Sequence, residues 1–210
     1  MKIIPVINVK TKQDFEEKLR KMRKFKGRFQ IDVADGKFTD WKNFQDISEM
    51  KKLVAKVPIE LHLMIKNPEK TFEDWLTLKP ELVYVHYEAV SDWPSLFKAI
   101  KNEKTELGLA FTPYTDLSIL KQFLKQVKSI LLLGVDPGPS GQKFKYHILD
   151  KVKDLKQKHP NLKIQVDGGI NEEIALELKK VKADEIALGS FLFNNKDPYQ
   201  VFLNLEKIVK

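Results

Sequence analysis

Strand-like and helix-like patterns alternate eight times along this chain, with short connections and no break. That regularity limits the fold more than any other property, because strand–helix repeats build parallel sheets whose helices pack over them. The strand segments are Lys2–Ile7, Phe29–Ala34, Ile59–Ile65, Leu82–His86, Leu107–Phe111, Ser129–Leu133, Leu162–Val166 and Glu185–Leu188. Helical signals follow each of them. Thr11 caps the first helix, with Asp14 three residues on and Phe15, Leu19, Met22 and Phe25 as its buried stripe. The others lie near Gln45–Val54, from Asn67-Pro68 onward, over Ser91–Ile100, Asp116–Leu124 and Lys145–Lys158, from Asn171 to about Val181, and over Tyr199–Val209.

The side-chain alternation within strands decides between an open sheet and a closed one. On the second, third and seventh strands one face is aliphatic: Ile31 and Val33, Leu61 and Leu63, Ile164 and Val166. The other face carries Gln30 and Asp32, Glu60 and His62, Gln165 and Asp167. Only a barrel gathers inward polar residues from separated strands around one axis, with Asp32 and Asp167 at the C-terminal rim where such folds place their chemistry. A GxGxxG turn after the first strand, which would favour a dinucleotide-binding sheet, is absent. The expected fold is a (β/α)8 TIM barrel over residues 1–210 as one domain, about 26 residues per unit, near the lower size limit.

Composition narrows the function. The formal net charge of +8 raises the possibility of nucleic acid, but 34 Lys stand against 3 Arg, and the lysines are scattered over every helix. Arg is the usual base- and phosphate-reading residue, so a solvated basic surface that attracts a small anionic substrate is the better reading, with no nucleic-acid partner. There is no cysteine, which excludes disulfides, thiolate nucleophiles and Cys-ligated zinc. The longest aliphatic run, Ile130–Leu133, cannot span a membrane, and the N-terminus lacks a signal-peptide core. A cytoplasmic protein without a membrane partner is expected.

Four stretches carry a family likeness: Ile31-Asp32-Val33-Ala34-Asp35-Gly36, Leu61-His62-Leu63-Met64, Asp136 through Phe144, and Val166-Asp167-Gly168-Gly169-Ile170-Asn171. In order and spacing they resemble the ribulose-phosphate 3-epimerase family, and Val85-His86-Tyr87-Glu88 and Gly189-Ser190 fit as well. The resemblance implies a ribulose-phosphate-binding type of barrel that epimerises C3 of a ketopentose phosphate through an enediolate, the step in the pentose phosphate pathway that interconverts D-ribulose 5-phosphate and D-xylulose 5-phosphate. Such chemistry needs two acid/base groups on opposite faces of a flat intermediate, and Asp32 and Asp167 match the family's pair. It also implies a divalent metal (zinc, or iron, manganese or cobalt) that stabilises the enediolate charge, with Asp32, His62 and Asp167 as matching ligands. A sugar-phosphate substrate and a homo-oligomeric assembly are expected. Backbone N–H groups of Gly168, Gly169, Gly189 and Ser190 suit the phosphate, and Gly138, Ser140 and Gly141 stand in the family's flexible lid. Met64 matches one of the methionines that line the intermediate.

Departures from the pattern cluster around the metal. Gln30 stands where the family has its second histidine, and as a ligand it offers a neutral oxygen. Asn8 and Val9 lie where a first-strand serine is usual, Ala34 and Leu133 replace methionines, and Pro139-Ser140 replace Phe-Gly in the lid. Proline there stiffens the loop. Three readings stay open: an epimerase with an altered metal site, an epimerase of another ketose phosphate such as a hexulose 6-phosphate, or a non-catalytic sugar-phosphate-binding relative. His86 reads as a packed inward histidine.

Overall fold

A computed structural model describes all of residues 1–210. Eight parallel strands close into a barrel in sequence order: β1 (Lys2–Ile7), β2 (Phe29–Ala34), β3 (Ile59–Met64), β4 (Leu82–His86), β5 (Glu106–Phe111), β6 (Ser129–Leu133), β7 (Lys163–Asp167) and β8 (Glu185–Leu188). Ring closure is made by β1 on β8, with Ile3 beside Ile186 and Pro5 beside Leu188. β7 begins one residue later than its pattern suggests and ends on Asp167, so this carboxylate is the last strand residue before the Gly168-Gly169 turn.

Helices α1 (Lys12–Lys21), α2 (Ile47–Leu53), α3 (Phe72–Leu76), α4 (Trp93–Ile100), α5 (His147–Lys158), α6 (Glu172–Lys180), α7 (Ser190–Phe193) and α8 (Pro198–Val209) surround the sheet. Their starts follow the capping chemistry of the sequence: side chains of Thr11, Asp46, Asp92, Asn171 and Asp197 each accept from a backbone N–H in the first turn. Two expectations need correction. The segment expected as a helix over Asp116–Leu124 is a 3-10 helix, Leu117–Gln122. Its turns close over three residues, as in Phe123 N–H donating to the Leu120 carbonyl at 2.9 Å, and the spacing of Leu117, Leu120 and Phe123 suits one face of either helix type. The first helix stops at Lys21, and Phe25 reaches the core from the turn that follows, edge-on to Phe29 and Phe202.

Burial divides into two shells. The outer one, between strands and helices, takes the aliphatic faces: Ile31, Val33, Leu61, Leu63, Ile164 and Val166 are essentially inaccessible. Each such side chain contributes roughly 1.5–3 kcal/mol by leaving water. The inner shell is lopsided. Leu82, Tyr84, Ala110, Leu131 and Leu133 form an apolar cluster on the β4–β6 side. Gln30, Asp32, Glu60, His62, Gln165, Asp167 and Glu185 are buried on the β2, β3, β7 and β8 side. Gly108 permits this division, since a Cβ there would stand 2.5 Å from the Tyr84 ring.

The lower half of the polar side is an ion cluster. Arg28 Nε lies 2.6 Å from Glu60 Oε2, out of hydrogen-bond alignment, while its Nη2 donates to Glu185 Oε2 at 2.8 Å. Lys163 Nζ sits 2.9 Å from the other Glu185 oxygen. Burial pushes Glu60 up to about 7, and the attraction of Arg28 offsets only part of that. Burial works against the Arg28 charge as well but is outweighed by Glu60 and Glu185 together, so its pKa rises.

Candidate active site

The strand register brings Asp32 level with His62 on the neighbouring strand, and barrel closure brings Asp167 in from β7. His62 Nδ1 is 3.1 Å from Asp32 Oδ1 and 3.7 Å from Asp167 Oδ2. One ligand atom from each of the three residues lies within 4.8 Å of the others, and all three side chains are buried. Burial raises the Asp167 pKa above the ordinary carboxylate range, and the nearby Asp32 charge adds to it. Burial opposes a charge on His62, but the hydrogen bond with Asp32 and the charges of both aspartates outweigh it, and its pKa rises.

Behind His62 stands a second histidine. His62 Nε2 and His86 Nε2 are 2.9 Å apart, and His86 Nδ1 is 3.3 Å from Glu88 Oε2. Glu88 in turn accepts from the Thr112 backbone N–H and the Thr115 hydroxyl. Burial lowers the His86 pKa to about 4, so this ring is neutral near pH 7. His86 is thus buried and inward as expected, but it also fixes the His62 ring from behind. With His62 Nε2–H donating to His86, and His86 Nδ1–H to Glu88, His62 Nδ1 is the atom turned toward Asp32 and Asp167: protonated it bonds Asp32, and deprotonated it is free to ligate an ion. Three acceptors facing one point need a proton or a cation between them. A borderline nitrogen and two hard oxygens, buried and oriented from behind, suit a divalent metal ion.

Gln30 departs from the expectation that it would offer its oxygen to an ion. Its Nε2 donates to Asp32 Oδ1 at 2.7 Å and to Asp167 Oδ2 at 2.6 Å. Its Oε1 accepts from Gln165 Nε2 at 2.7 Å. Two ionisable carboxylates attract an amide donor more strongly than an amide oxygen, so the nitrogen turns toward them.

Asn8, noted in the sequence only as standing where a first-strand serine is usual, has a role there that the sequence did not show. Its Nδ2 donates to Asp32 Oδ2 at 3.1 Å and faces the Gly138 carbonyl at 3.4 Å. Its Oδ1 accepts from the Trp41 indole at 3.1 Å and from Asn43 at 3.2 Å. Lys18 donates to the Asn8 carbonyl at 3.3 Å. Asn8 follows β1 and sits level with the inward series Val6, so its position on the alternation was a signal; its partners, from distant loops, were not.

Of the residues singled out from sequence, Asp32, His62, Met64, Gly138, Ser140, Gly141, Asp167, Gly168, Gly169, Gly189 and Ser190 line one cleft at the C-terminal mouth; Gln30 lies beneath its floor. Gly168 and Gly169 have φ of 100° and 70°, and a Cβ at either would run into Val135 or the Phe144 backbone. Their turn therefore requires glycine whatever it binds. Gly189 has a negative φ, and a Cβ there would make only ordinary contacts, 3.6 Å to Ser140 Oγ and 3.8 Å to Val6, so crowding does not demand glycine there. The loop of residues 136–142, expected as a lid, is tied to itself: Gln142 Nε2 donates to the carbonyls of Asp136 and Pro139 at 2.8 and 3.0 Å.

No helix is long and apolar enough to cross a membrane. Among solved structures the chain superposes on the 3-hexulose-6-phosphate synthase of Salmonella typhimurium with a TM-score of 0.74 at 14% identity, covering 100% of this chain and 98% of that one. At that identity the likeness speaks for the fold alone. Sequence relatives reach further. The chain is 32% identical over 172 residues to the ribulose-phosphate 3-epimerase of Helicobacter pylori (strain ATCC 700392 / 26695), covering 80% of this chain and 79% of that protein. It is 32% identical over 172 residues to the enzyme of the same name from Aquifex aeolicus, covering 79% and 77%, and 29% identical over 173 residues to that of Bacillus subtilis, covering 80% of each. The model of the ribulose-phosphate 3 epimerase family matches residues 2–193. The family match over nearly the whole length, together with relatives above 30% identity, settles the membership: this chain belongs to the ribulose-phosphate 3-epimerase family.

Proposed function

We propose that this protein interconverts D-ribulose 5-phosphate and D-xylulose 5-phosphate by moving a proton at C3 through an enediolate. The observation that carries the reading is the pair Asp32 and Asp167, brought together from β2 and β7 across the β1–β8 closure to one amide, Gln30, beneath the floor of the cleft. In each direction one carboxylate takes the C3 proton and the other, already protonated, returns one to the opposite face. After a turnover the proton has changed sides, and exchange with water resets the pair. Two carboxylates sharing one amide donor in a buried site do not both ionise readily without a cation, which suits a pair that holds one proton between them. Gln30 and Asn8 orient the Asp32 oxygens, one on each.

Asp32, His62 and Asp167 would hold the family's divalent ion, whose charge would stabilise the enediolate oxygens. The substrate phosphate is assigned to Gly168-Gly169 and Gly189-Ser190, where backbone donors need no basic side chain and where the absence of a Cβ at Gly189 leaves room. The test is C3 proton exchange with deuterated water on ribulose 5-phosphate, run with added zinc or manganese and with chelator. Exchange and formation of xylulose 5-phosphate are expected. Binding of the sugar phosphate without exchange under either condition would replace this reading with that of a sugar-phosphate-binding protein.

A further inference from the structure

A chain of side-chain hydrogen bonds joins the cleft floor to the bottom of the barrel, and each link has a direction. Gln165 Nε2 donates both its hydrogens, to Glu60 Oε1 at 2.6 Å and to Gln30 Oε1 at 2.7 Å. Gln165 Oε1 is left to accept from the Tyr84 hydroxyl at 3.3 Å. Gln30 Nε2 likewise spends both hydrogens, on Asp32 and Asp167. Both Glu60 oxygens face donors, Gln165 on one side and Arg28 on the other, so Glu60 can only accept.

We propose that Glu60 and Gln165 are positioning residues that hold the Gln30 amide with its nitrogen toward the carboxylates, and that this internal donor competes with the divalent ion for them. For Gln30 to present its oxygen to an ion, its amide must turn over. Gln165 must then turn as well, to accept from Gln30, and its oxygen would meet the Glu60 carboxylate. The two acceptors repel, so the Glu60 anion, a layer below the site, resists the fourth ligand. With glutamine at position 60 the conflict disappears: its oxygen can face Arg28 and its nitrogen can donate to the turned Gln165.

The inference deepens the proposed function and rests on it for the identity of the ion site; proton exchange by the wild type tests that reading separately. Here the probes are zinc and manganese alone, titrated calorimetrically into the full-length protein at pH 8. Glu60→Gln removes a negative charge near a cation site, and by charge alone should weaken binding. The relay gives the opposite sign. Glu60→Gln is expected to bind the ion roughly tenfold or more tightly than wild type, the scale of one hydrogen bond to a charged group. In the Gln30→Leu background the same change should lose that gain, because no amide remains to turn. Gln165→Leu, which cuts the relay while keeping the volume, should also tighten binding and serves if Glu60→Gln does not fold. Equal or weaker affinity in the variant that folds, or a gain that persists without Gln30, would overturn the inference.

Discussion

The barrel holds two buried polar clusters one above the other, and they differ in balance. The lower one sets Arg28 and Lys163 against Glu60 and Glu185, so each carboxylate faces a cation. The upper one sets Asp32 and Asp167 against an imidazole and an amide, with no Lys or Arg bonded to them and a cleft above. Lys18, the nearest lysine to enter its electrostatics, donates instead to the Asn8 backbone. A balanced buried cluster holds strands in register; an unbalanced one at a cleft is held in readiness for charge that arrives from outside.

The comparison breaks most sharply at Asp167. Asp167→Asn is expected to reduce epimerisation by about 10²-fold or more, because Asn cannot exchange a proton. The same change should leave thermal stability unchanged or raised, since it removes a repelling carboxylate from the unbalanced cluster. A stability loss matching the activity loss would make the upper cluster structural, like the lower one. Arg28→Met should do the reverse. It strands Glu60 and Glu185 without their shared partner and is expected to cost about 3–5 kcal/mol in denaturant unfolding, with a far smaller loss of activity per folded molecule.

The smallest effect sharpens the role of Lys18. Burial outweighs the pull of Asp32 and lowers its pKa to about 8, from 10.5 in the unfolded chain. The folded state therefore disfavours the charged amine. That penalty is full below pH 8 and fades as pH rises toward 10.5. Lys18→Met should stabilise the protein by on the order of 1–2 kcal/mol at pH 7, allowing for partial solvation of the amine, and by nothing at the alkaline end. Equal gains at both ends would show that packing, and not charge, is the cause.

Much of this was legible from the alternation of side chains. Inward Asp32, His62 and Asp167 follow from period two, and closure of the ring follows from polar faces on separated strands. The local patterns that failed were of a different kind. Leu117, Leu120 and Phe123 carry a three-residue spacing that fits a 3-10 turn and an α-helix face alike, so the pattern could not separate them. The roles of Asn8, Gln30 and His86 depend on which residues meet across the barrel, and alternation along one strand says only which way each side chain points. Gln30 was read as a substitute ligand because only its own chemistry was in view; Gln165 and Glu60, named as inward residues, set which end of its amide faces the carboxylates.

Asn8 joins the Asp32 carboxylate, the Gly138 carbonyl of the loop after β6 and the indole of Trp41. Trp41 also lies under Lys10, 4.4 Å from its ring centroid, and beside the same loop at Gly138. An indole is a fluorophore whose emission follows its hydrogen bonding and the charges nearby. This fold has therefore placed an optical reporter on the one amide shared by the floor and roof of the cleft. Filling of the cleft can be followed by Trp41 emission in the unlabelled protein, in real time and without turnover, against the steady background of Trp75 and Trp93 on the outer helices.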